Sequence, residues 1–255
     1  MLGIVPAAGA GSRIQPLAFS KELLPVGSRR DGSCERPRAV SEYLLERMIR
    51  ADVSKICFVI APGKSDILEY FGAKFGTVRL CYTVQAEPAG LCDAIFSALP
   101  LVHASEPVLV GLPDTIWFPI DGLRVLPDNI LSFLLFPVAH PQFFDAVIVA
   151  DNSNRVREIQ VKQEQPNSHW VWGAFKMPGA VLIDLHQLWQ QRGCTDQYFG
   201  TLVNAYLAQG GQAMALRAGR AYVDVGTLDG YRAAMRLLLS ESTAADAQQP
   251  PREEW

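Results

Sequence analysis

Short apolar runs alternate with amphipathic stretches over the first 115 residues. The runs are rich in β-branched and aromatic residues and predict four strands, at 2–6, 55–61, 78–84 and 107–112. Apolar residues recur with helical spacing between these runs and predict helices at 40–51, 65–71 and 91–99. Buried strands separated by helices predict a parallel sheet that binds ligands at the carboxyl ends of its strands.

The pattern changes in the second half of the chain. Three segments with strand character, at 144–149, 156–161 and 169–176, predict antiparallel pairing. Helices are predicted at 181–191 and 201–209, a strand at 221–226 and a closing helix at 228–239. The polar stretch 27–37 is predicted to be an exposed loop, and the Glu-, Ala-, Gln- and Pro-rich segment 241–255 a flexible tail. We therefore expect a single α/β domain over residues 1–240.

Composition excludes several classes of protein. With 23 basic and 26 acidic residues the net charge is −3, so we expect no nucleic-acid partner. The five cysteines form no Cys-x-x-Cys pair, which argues against zinc and thioredoxin-type sites and favours reduced thiols. The apolar run 130–138 is too short to cross a bilayer, and the amino terminus lacks the features of a signal peptide. We expect a cytoplasmic protein with no membrane partner.

A loop of small residues directly follows the first predicted strand. It reads Pro6-Ala-Ala-Gly9-Ala-Gly11-Ser12-Arg13, and Lys21 follows within Lys-Glu-Leu-Leu-Pro-Val. Small residues let backbone N–H groups approach an anion closely, and two cations add positive charge, so the pattern favours a polyphosphate ligand. The spacing does not fit a dinucleotide-binding fingerprint, which needs glycine at 14, or a P-loop around Lys64, which needs glycine at 58. A plain glycine turn with two surface cations is the alternative.

These two segments resemble those of the sugar-1-phosphate nucleotidylyltransferases, in which a Gly-(Ser/Thr)-Arg loop precedes Lys-x-Leu-Leu-Pro-(Val/Ile). The resemblance continues in order to about residue 239. It implies a Rossmann-like, GT-A-type fold with a mixed, mainly parallel central sheet flanked by helices and a small antiparallel sugar-binding elaboration. Residues 1–115 would bind the nucleoside triphosphate and 140–240 the sugar phosphate. The triphosphate would contact Ala8, Gly9, Gly11, Ser12, Arg13 and Lys21.

The resemblance also implies sites for the base and for a metal ion. Gln85 and Gly90 match the segment that reads the base, and a Gln amide can pair with uracil or thymine. A strand end exposed to solvent is the alternative for Gln85. Asp114 ends a buried run, where an unpaired carboxylate costs several kcal/mol. Asp114 and Asp224 match the family's Mg²⁺ ligands; the alternative is that each is a turn or helix-capping residue.

For the sugar phosphate, the resemblance implies Lys162, which matches the lysine of a Glu-Lys-Pro motif, together with Ala146, Trp172 and Gly173. The sequence departs from the family here. Val161 replaces the glutamate of that motif and Gln163 its proline, while Ala146 falls where thymidylyltransferases have glycine. Pro113 replaces the glycine before Asp114, and the spacing from Arg13 to Lys21 is short. These changes leave the identity of the sugar open.

The resemblance implies an enzyme that makes a nucleotide sugar and pyrophosphate from a nucleoside triphosphate, dTTP or UTP, and a sugar 1-phosphate, most readily glucose 1-phosphate. It further implies a homo-oligomer that supplies polysaccharide precursors. The departures motivate an alternative, a non-catalytic sensor of nucleotides or nucleotide sugars. A glycosyltransferase is disfavoured because Leu112 stands where an Asp-x-Asp metal motif would need its first aspartate.

Overall fold

A computed structural model describes residues 1–150 and 153–247, which alternate between strands and helices. The helices are α1 (Val40–Arg50), α2 (Ser65–Phe71), α3 (Leu91–Phe96), α4 (Gly179–Gln191), α5 (Phe199–Ala208) and α6 (Leu228–Ala247). The strands are β1 (Leu2–Pro6), β2 (Pro25–Asp31), β3 (Cys34–Ala39), β4 (Lys55–Ile60), β5 (Lys74–Phe75), β6 (Val78–Val84), β7 (Pro107–Gly111), β8 (Thr115–Phe118), β9 (Leu131–Pro137), β10 (Asp145–Val149), β11 (Val156–Val161), β12 (Trp170–Pro178), β13 (Ala213–Leu216) and β14 (Ala221–Asp224).

The central sheet is mixed, with a parallel core. Strands β6, β4, β1 and β7 lie side by side and run parallel, and β5 pairs antiparallel with β6 at one edge. Strand β12 runs antiparallel to β7, and the antiparallel strands β10 and β11 follow it in the sheet. Strand β9 pairs with the other edge of β12, and β13 runs parallel to β9. The predicted fold class, including the antiparallel pairing of 144–149 with 156–161, is confirmed.

The parallel strands are apolar throughout because both faces of the sheet are covered. Ile4 of β1 and Val110 of β7 belong to an apolar cluster that includes residues of α3, α4 and α5. The neighbouring Val5 and Leu109 face the opposite side and pack with residues of α1 and α2. Because side chains on both faces of these strands are buried, the strand sequences are apolar without interruption. Because these four strands run parallel, the carboxyl ends of β1, β4, β6 and β7 lie at one edge of the sheet.

A small separate sheet brings the end of β14 to this edge. Strands β8 and β14 pair antiparallel, with Asp224 opposite Thr115, the residue that follows Asp114. A third apolar cluster, which includes Val26, Tyr43, Ile116, Val225 and Ala234, packs α6 against this sheet and against α1. Among the described residues no helix is long and apolar enough to cross a membrane.

Two predicted boundaries are wrong. The stretch 27–37 is exposed as expected, but it forms most of the β2–β3 hairpin rather than a loop. The turn between the paired residues Asp31 and Cys34 consists of Gly32 and Ser33, and Gly32 has a φ of +61°, which glycine adopts without strain. Helix α6 continues to Ala247, beyond the predicted end at 239 and into the first part of the predicted tail. Residues 248–255 of that tail lie outside the described residues.

Candidate functional site

The small-residue loop leaves the carboxyl end of β1 and wraps around the Lys21 side chain. The Ala7 N–H donates to the Val59 carbonyl at 2.8 Å, which ties the start of the loop to β4. Gly11 has a φ of +66°, and a Cβ on it would lie 2.9 Å from Lys21 Cδ. Glycine is therefore required at this position by both its backbone conformation and the close approach of Lys21. Gly9, Ser12 and Arg13 are exposed, so this face of the loop is open to a ligand.

Lys64, which sequence reasoning considered only within a rejected P-loop, anchors the loop from behind. Its Nζ donates to the carbonyl oxygens of Ala7 and Gly9 at 2.6 and 2.7 Å and to both carboxylate oxygens of Glu22 at 2.9 Å. The Glu22 residue is fully buried, and this burial raises its pKa despite the opposing charges of Lys64 and Lys21. Because the Ala7 and Gly9 carbonyls accept hydrogen bonds from Lys64, they point toward Lys64 and away from the exposed face of the loop.

Lys21 and Asp114 form an ion pair at the edge where β1 and β7 end. Lys21 Nζ lies 2.5 Å from Asp114 Oδ2, and the two side chains are only 14% and 15% exposed. Burial alone would lower the pKa of Lys21 and raise that of Asp114. The Asp114 charge nevertheless raises the pKa of Lys21, with Glu22 contributing, and the Lys21 charge holds the pKa of Asp114 below its usual value. Both groups are therefore charged at neutral pH.

A second ion pair joins Arg13 to Asp224 and lies beside the first. Arg13 Nη2 is 3.1 Å from Asp224 Oδ2, and Asp224 Oδ1 accepts from the Gly226 N–H at 2.7 Å. The Val225 N–H donates to the Asp114 carbonyl at 2.8 Å, so the two aspartate segments are joined directly. The structure thus brings together four predicted site residues, Arg13, Lys21, Asp114 and Asp224, from three distant parts of the chain.

The geometry of the two aspartates fits a metal ion that shares its coordination with a substrate. A Cβ on Gly226 would lie 2.8 Å from Asp224 Oδ1, 3.1 Å from Arg13 Nη2 and 3.6 Å from Asp114 Oδ2, so oxygens of both carboxylates and the Arg13 guanidinium border one small space. No group of three or more His, Cys, Asp or Glu side chains suited to a metal occurs in the described part of the chain. Mg²⁺ is commonly held by one or two carboxylates, with phosphate oxygens and waters completing its shell. The donor set therefore fits Mg²⁺.

Gln85 lies at the carboxyl end of β6 and is buried rather than solvent-facing. Its Nε2 donates to the Gly90 carbonyl at 3.0 Å and to Asp93 Oδ2 at 2.7 Å, so both amide hydrogens have protein acceptors. Gly90 has a φ of +94°, and a Cβ on it would lie 2.7 Å from the backbone of Gln197. The packing of residue 197 against this turn is thus one reason for glycine at position 90.

The residues predicted for the sugar phosphate lie on the antiparallel strands next to the ion pairs. Lys162 follows β11, and its Nζ donates to the Phe143 carbonyl at 2.5 Å. Partial burial lowers the pKa of this ammonium group; the Arg13 charge adds to that effect and the Asp145 charge opposes it. Trp172 and Ala146 are buried on β12 and β10. A Cβ on Gly173 would lie 2.6 Å from the Tyr222 ring, so glycine there makes room for that ring.

Tyr222 and Asp145 face this region and were not singled out from the sequence. Burial raises the pKa of Tyr222 well above its usual value, and the charges of Asp224, Asp114 and Asp145 add to the effect. The phenol therefore keeps its proton at neutral pH and can donate a hydrogen bond. An aromatic residue two positions before Asp224 reads from sequence as an ordinary core position, which explains why it was missed.

Comparisons with known proteins agree with this arrangement. The profile of a family described as nucleotidyl transferase matches residues 2–241. A glucose-1-phosphate thymidylyltransferase of Mycolicibacterium smegmatis is 27% identical over 240 residues, which are 90% of this chain and 79% of the relative. One of Mycobacterium tuberculosis is 29% identical over 245 residues, with the same two coverages.

Two solved structures share the fold. A putative glucose-1-phosphate thymidylyltransferase from Bacillus anthracis, in complex with a sucrose, superposes with a TM-score of 0.76 at 23% identity, covering 93% of this chain and 95% of the other. A UTP-bound UGPase from Acinetobacter baumannii has a TM-score of 0.75 at 18% identity, with coverages of 97% and 99%. At these identities the superpositions establish the common fold, and the family profile carries the relationship in sequence.

Proposed function

The chain belongs to the nucleotidyl transferase family, and on that premise we propose that it makes a nucleotide sugar and pyrophosphate from a nucleoside triphosphate and a sugar 1-phosphate. The sugar-phosphate oxygen attacks the α-phosphorus, the bond from the α-phosphorus to the bridging oxygen breaks, and pyrophosphate leaves. No protein nucleophile is needed. Catalysis therefore consists of positioning the two substrates and neutralising the charge that develops on the phosphates.

The triphosphate binds over the exposed face of the loop that contains Ala8, Gly9, Gly11 and Ser12. Backbone N–H groups of a small-residue loop at the end of a parallel strand are suited to phosphate oxygens. Arg13 and Lys21 hold the β- and γ-phosphates and stabilise the departing pyrophosphate. In the free protein both cations are paired with aspartates, so the site is close to neutral before the substrate arrives.

Asp114 and Asp224 hold the metal ion, and we propose Mg²⁺. When bound, the ion supplies positive charge against the α-phosphate oxygens. The support is the small space bordered by oxygens of both carboxylates at Gly226. Phosphate oxygens and waters would provide the remaining ligands. With the ion held by the two aspartates, Arg13 and Lys21, which are now paired with them, would be free to contact phosphate oxygens.

We propose that Lys162 orients the attacking phosphate; its Nζ is held by the Phe143 carbonyl, and the charges of Arg13 and Asp224 act on its pKa. Ala146, Trp172 and Gly173 line the adjoining sugar site. Gln85 accepts a hydrogen bond from N3–H of uracil or thymine through its Oε1, since its amide hydrogens are already bound. UTP and dTTP are therefore the proposed nucleotides, and glucose 1-phosphate the first sugar to test.

The single observation that carries this proposal is the side-by-side arrangement of the Lys21–Asp114 and Arg13–Asp224 pairs beside the small-residue loop. The test is pyrophosphate release with Mg²⁺ and glucose 1-phosphate, run separately with dTTP, UTP, CTP, GTP and ATP, and repeated with a panel of other sugar 1-phosphates. Release with dTTP or UTP that stops when EDTA is added is the expected result. Nucleotide binding without release for any sugar would favour the alternative, a sensor on the same fold.

The proposed substrates indicate the compartment in which the reaction takes place. Nucleoside triphosphates are cytoplasmic metabolites, so we propose that the reaction takes place there. We also keep a homo-oligomer, at least a dimer, as a prediction, to be tested by light scattering on the purified protein. Neither point affects the chemistry at the two ion pairs.

A further inference from the structure

The side-chain amide of Gln85 is held in one orientation by two acceptors. Gln85 follows β6, its backbone N–H donates to the Ile60 carbonyl at 2.9 Å, and the residue is only 5% exposed. Its Nε2 donates to the Gly90 carbonyl at 3.0 Å and to Asp93 Oδ2 at 2.7 Å. A carbonyl and a carboxylate have no hydrogen to donate. The amide nitrogen, and not the amide oxygen, must therefore face them.

The two acceptors belong to the start of α3 and differ in strength. The Gly90 carbonyl also accepts from the Ala94 N–H at 3.2 Å, so the helix itself fixes its direction. Asp93 lies half-buried in the first turn of α3 and makes the shorter of the two bonds. A hydrogen bond to a charged acceptor is about twice as strong as one between neutral groups. Asp93 therefore contributes the larger part of the preference for the observed orientation.

The orientation of this amide decides what Gln85 offers to a pyrimidine base. In the observed orientation Oε1 is the remaining group, and it can only accept a hydrogen bond. Uracil has an N3–H that can donate to it, whereas N3 of cytosine is itself an acceptor. In the reversed orientation Nε2 would face the base and could donate to N3 of cytosine. The residue that holds the amide in place thus selects between the two bases.

We propose that Asp93 is a positioning residue that determines which pyrimidine nucleotide the site accepts. It acts through the Gln85 amide and does not itself need to contact the nucleotide. The inference rests on the proposed function, because it takes the base to bind at Gln85. The alternative role for Asp93 is to stabilise α3, since a negative charge in the first turn of a helix is favourable. That role would affect UTP and CTP equally.

The test measures the affinities for UTP and CTP by titration calorimetry with Mg²⁺ and without a sugar 1-phosphate. The side chain of Asp93→Asn can donate to Oε1 and so stabilise the reversed amide. The ratio of the Kd for CTP to the Kd for UTP should therefore fall by about 10-fold in this variant. Part of the fall should be a tightening of CTP binding by about 3-fold, which a weakened helix would not produce. In Asp93→Ala the Gly90 carbonyl alone holds the amide, so the ratio should fall by a smaller factor.

A double variant shows whether Asp93 acts through Gln85. In the Gln85→Ala background, Asp93→Asn should change the ratio of the two Kd values by less than about 2-fold, because the amide it orients is gone. Glu87→Gln removes an exposed charge from the same turn, and Asp184→Asn removes one from an exposed position of α4. Both controls should keep the wild-type affinities. Should Asp93→Ala fail to fold, Asp93→Asn, which keeps the side-chain shape, still tests the base preference.

Three results would overturn the inference while leaving the proposed function intact. One is an equal loss of affinity for UTP and CTP in Asp93→Asn, and another is an unchanged ratio at wild-type affinities. The third is a fall in the ratio of the same size when Gln85 is absent. Release of no pyrophosphate with any sugar 1-phosphate, by a wild-type protein that binds UTP, would overturn the proposed reaction and not this inference. A wild-type protein that binds neither nucleotide would overturn both.

Discussion

The Lys21 ammonium group lies 2.5 Å from the Asp114 carboxylate, and both side chains are largely buried at the end of β1 and β7. Each charge offsets the cost of burying the other, so the pair is ordered before any substrate binds. The proposed reaction requires both members to change partners, Asp114 to the metal ion and Lys21 to a phosphate oxygen. The ion pair therefore preorganises the site.

Replacing Asp114 by asparagine should separate the chemistry from the fold. We expect kcat to fall by about 100-fold or more, because a neutral amide is a poor ligand for a hard cation and leaves the α-phosphate charge uncompensated. The buried Lys21 loses its counter-ion, so the free energy of unfolding should fall by about 1–3 kcal/mol. Steady-state pyrophosphate release and urea unfolding measure the two effects. Near-normal turnover would exclude Asp114 from the metal site, and Asp184→Asn should change neither quantity.

Lys64 should control nucleotide affinity although it lies behind the loop. In Lys64→Met the carbonyls of Ala7 and Gly9 lose their donor, so the loop N–H groups lose their fixed orientation. We expect the KM for the nucleotide to rise by about 10-fold, while the KM for the sugar 1-phosphate changes little. Equal increases for both substrates would show that Lys64 supports the domain in general rather than the phosphate loop.

The same variant should also change how stability depends on pH. Burial already raises the pKa of Glu22, and loss of Lys64 removes its nearest counter-charge and raises that pKa further. A carboxyl group whose folded pKa lies above its unfolded value contributes stability at low pH that is lost as pH rises through the folded pKa. Lys64→Met should therefore be closer to wild-type stability at pH 5 than at pH 8, as measured by thermal unfolding. Glu22→Gln added to Lys64→Met should remove this difference.

Asp224 should set the requirement for metal. In Asp224→Asn one of the two proposed carboxylate ligands becomes an amide, and Arg13 loses its ionic partner. We expect the Mg²⁺ concentration for half-maximal pyrophosphate release to rise by about 10-fold or more, with a lower plateau. Asp229→Asn is a close control, since the Asp229 side chain is 96% exposed at the start of α6. An unchanged Mg²⁺ titration in Asp224→Asn would place the ion elsewhere.

The parallel core could be predicted because its strands are continuous apolar runs with helices between them. Strands β8 and β13 could not, since each has only four residues and is stabilised by a partner distant in sequence. The hairpin of β2 and β3 is exposed over most of its length, so it lacks the alternation of apolar and polar residues that predicts a half-buried strand.

The candidate site likewise contains residues that the sequence predicts and residues that it does not. Arg13, Lys21, Asp114 and Asp224 could be predicted because motifs carry them and strand ends place them together. The contact of Lys64 with Glu22 joins residues that are 42 positions apart, and no local pattern indicates it. Asp145 depends on the register of three antiparallel strands, which fixes its neighbours only once the sheet is formed.

Gln85 should determine which pyrimidine the enzyme accepts. Its two amide hydrogens are bound by the Gly90 carbonyl and by Asp93 Oδ2, so the remaining Oε1 can only accept. Uracil and thymine offer an N3–H to this acceptor, whereas N3 of cytosine carries no hydrogen. In Gln85→Ala the ratio of kcat/KM for UTP to that for CTP should fall by about 10-fold, mainly through loss with UTP. Parallel pyrophosphate assays with the two nucleotides measure the ratio. If the ratio stayed at its wild-type value while both rates fell, Gln85 would support the turn at Gly90 without contacting the base.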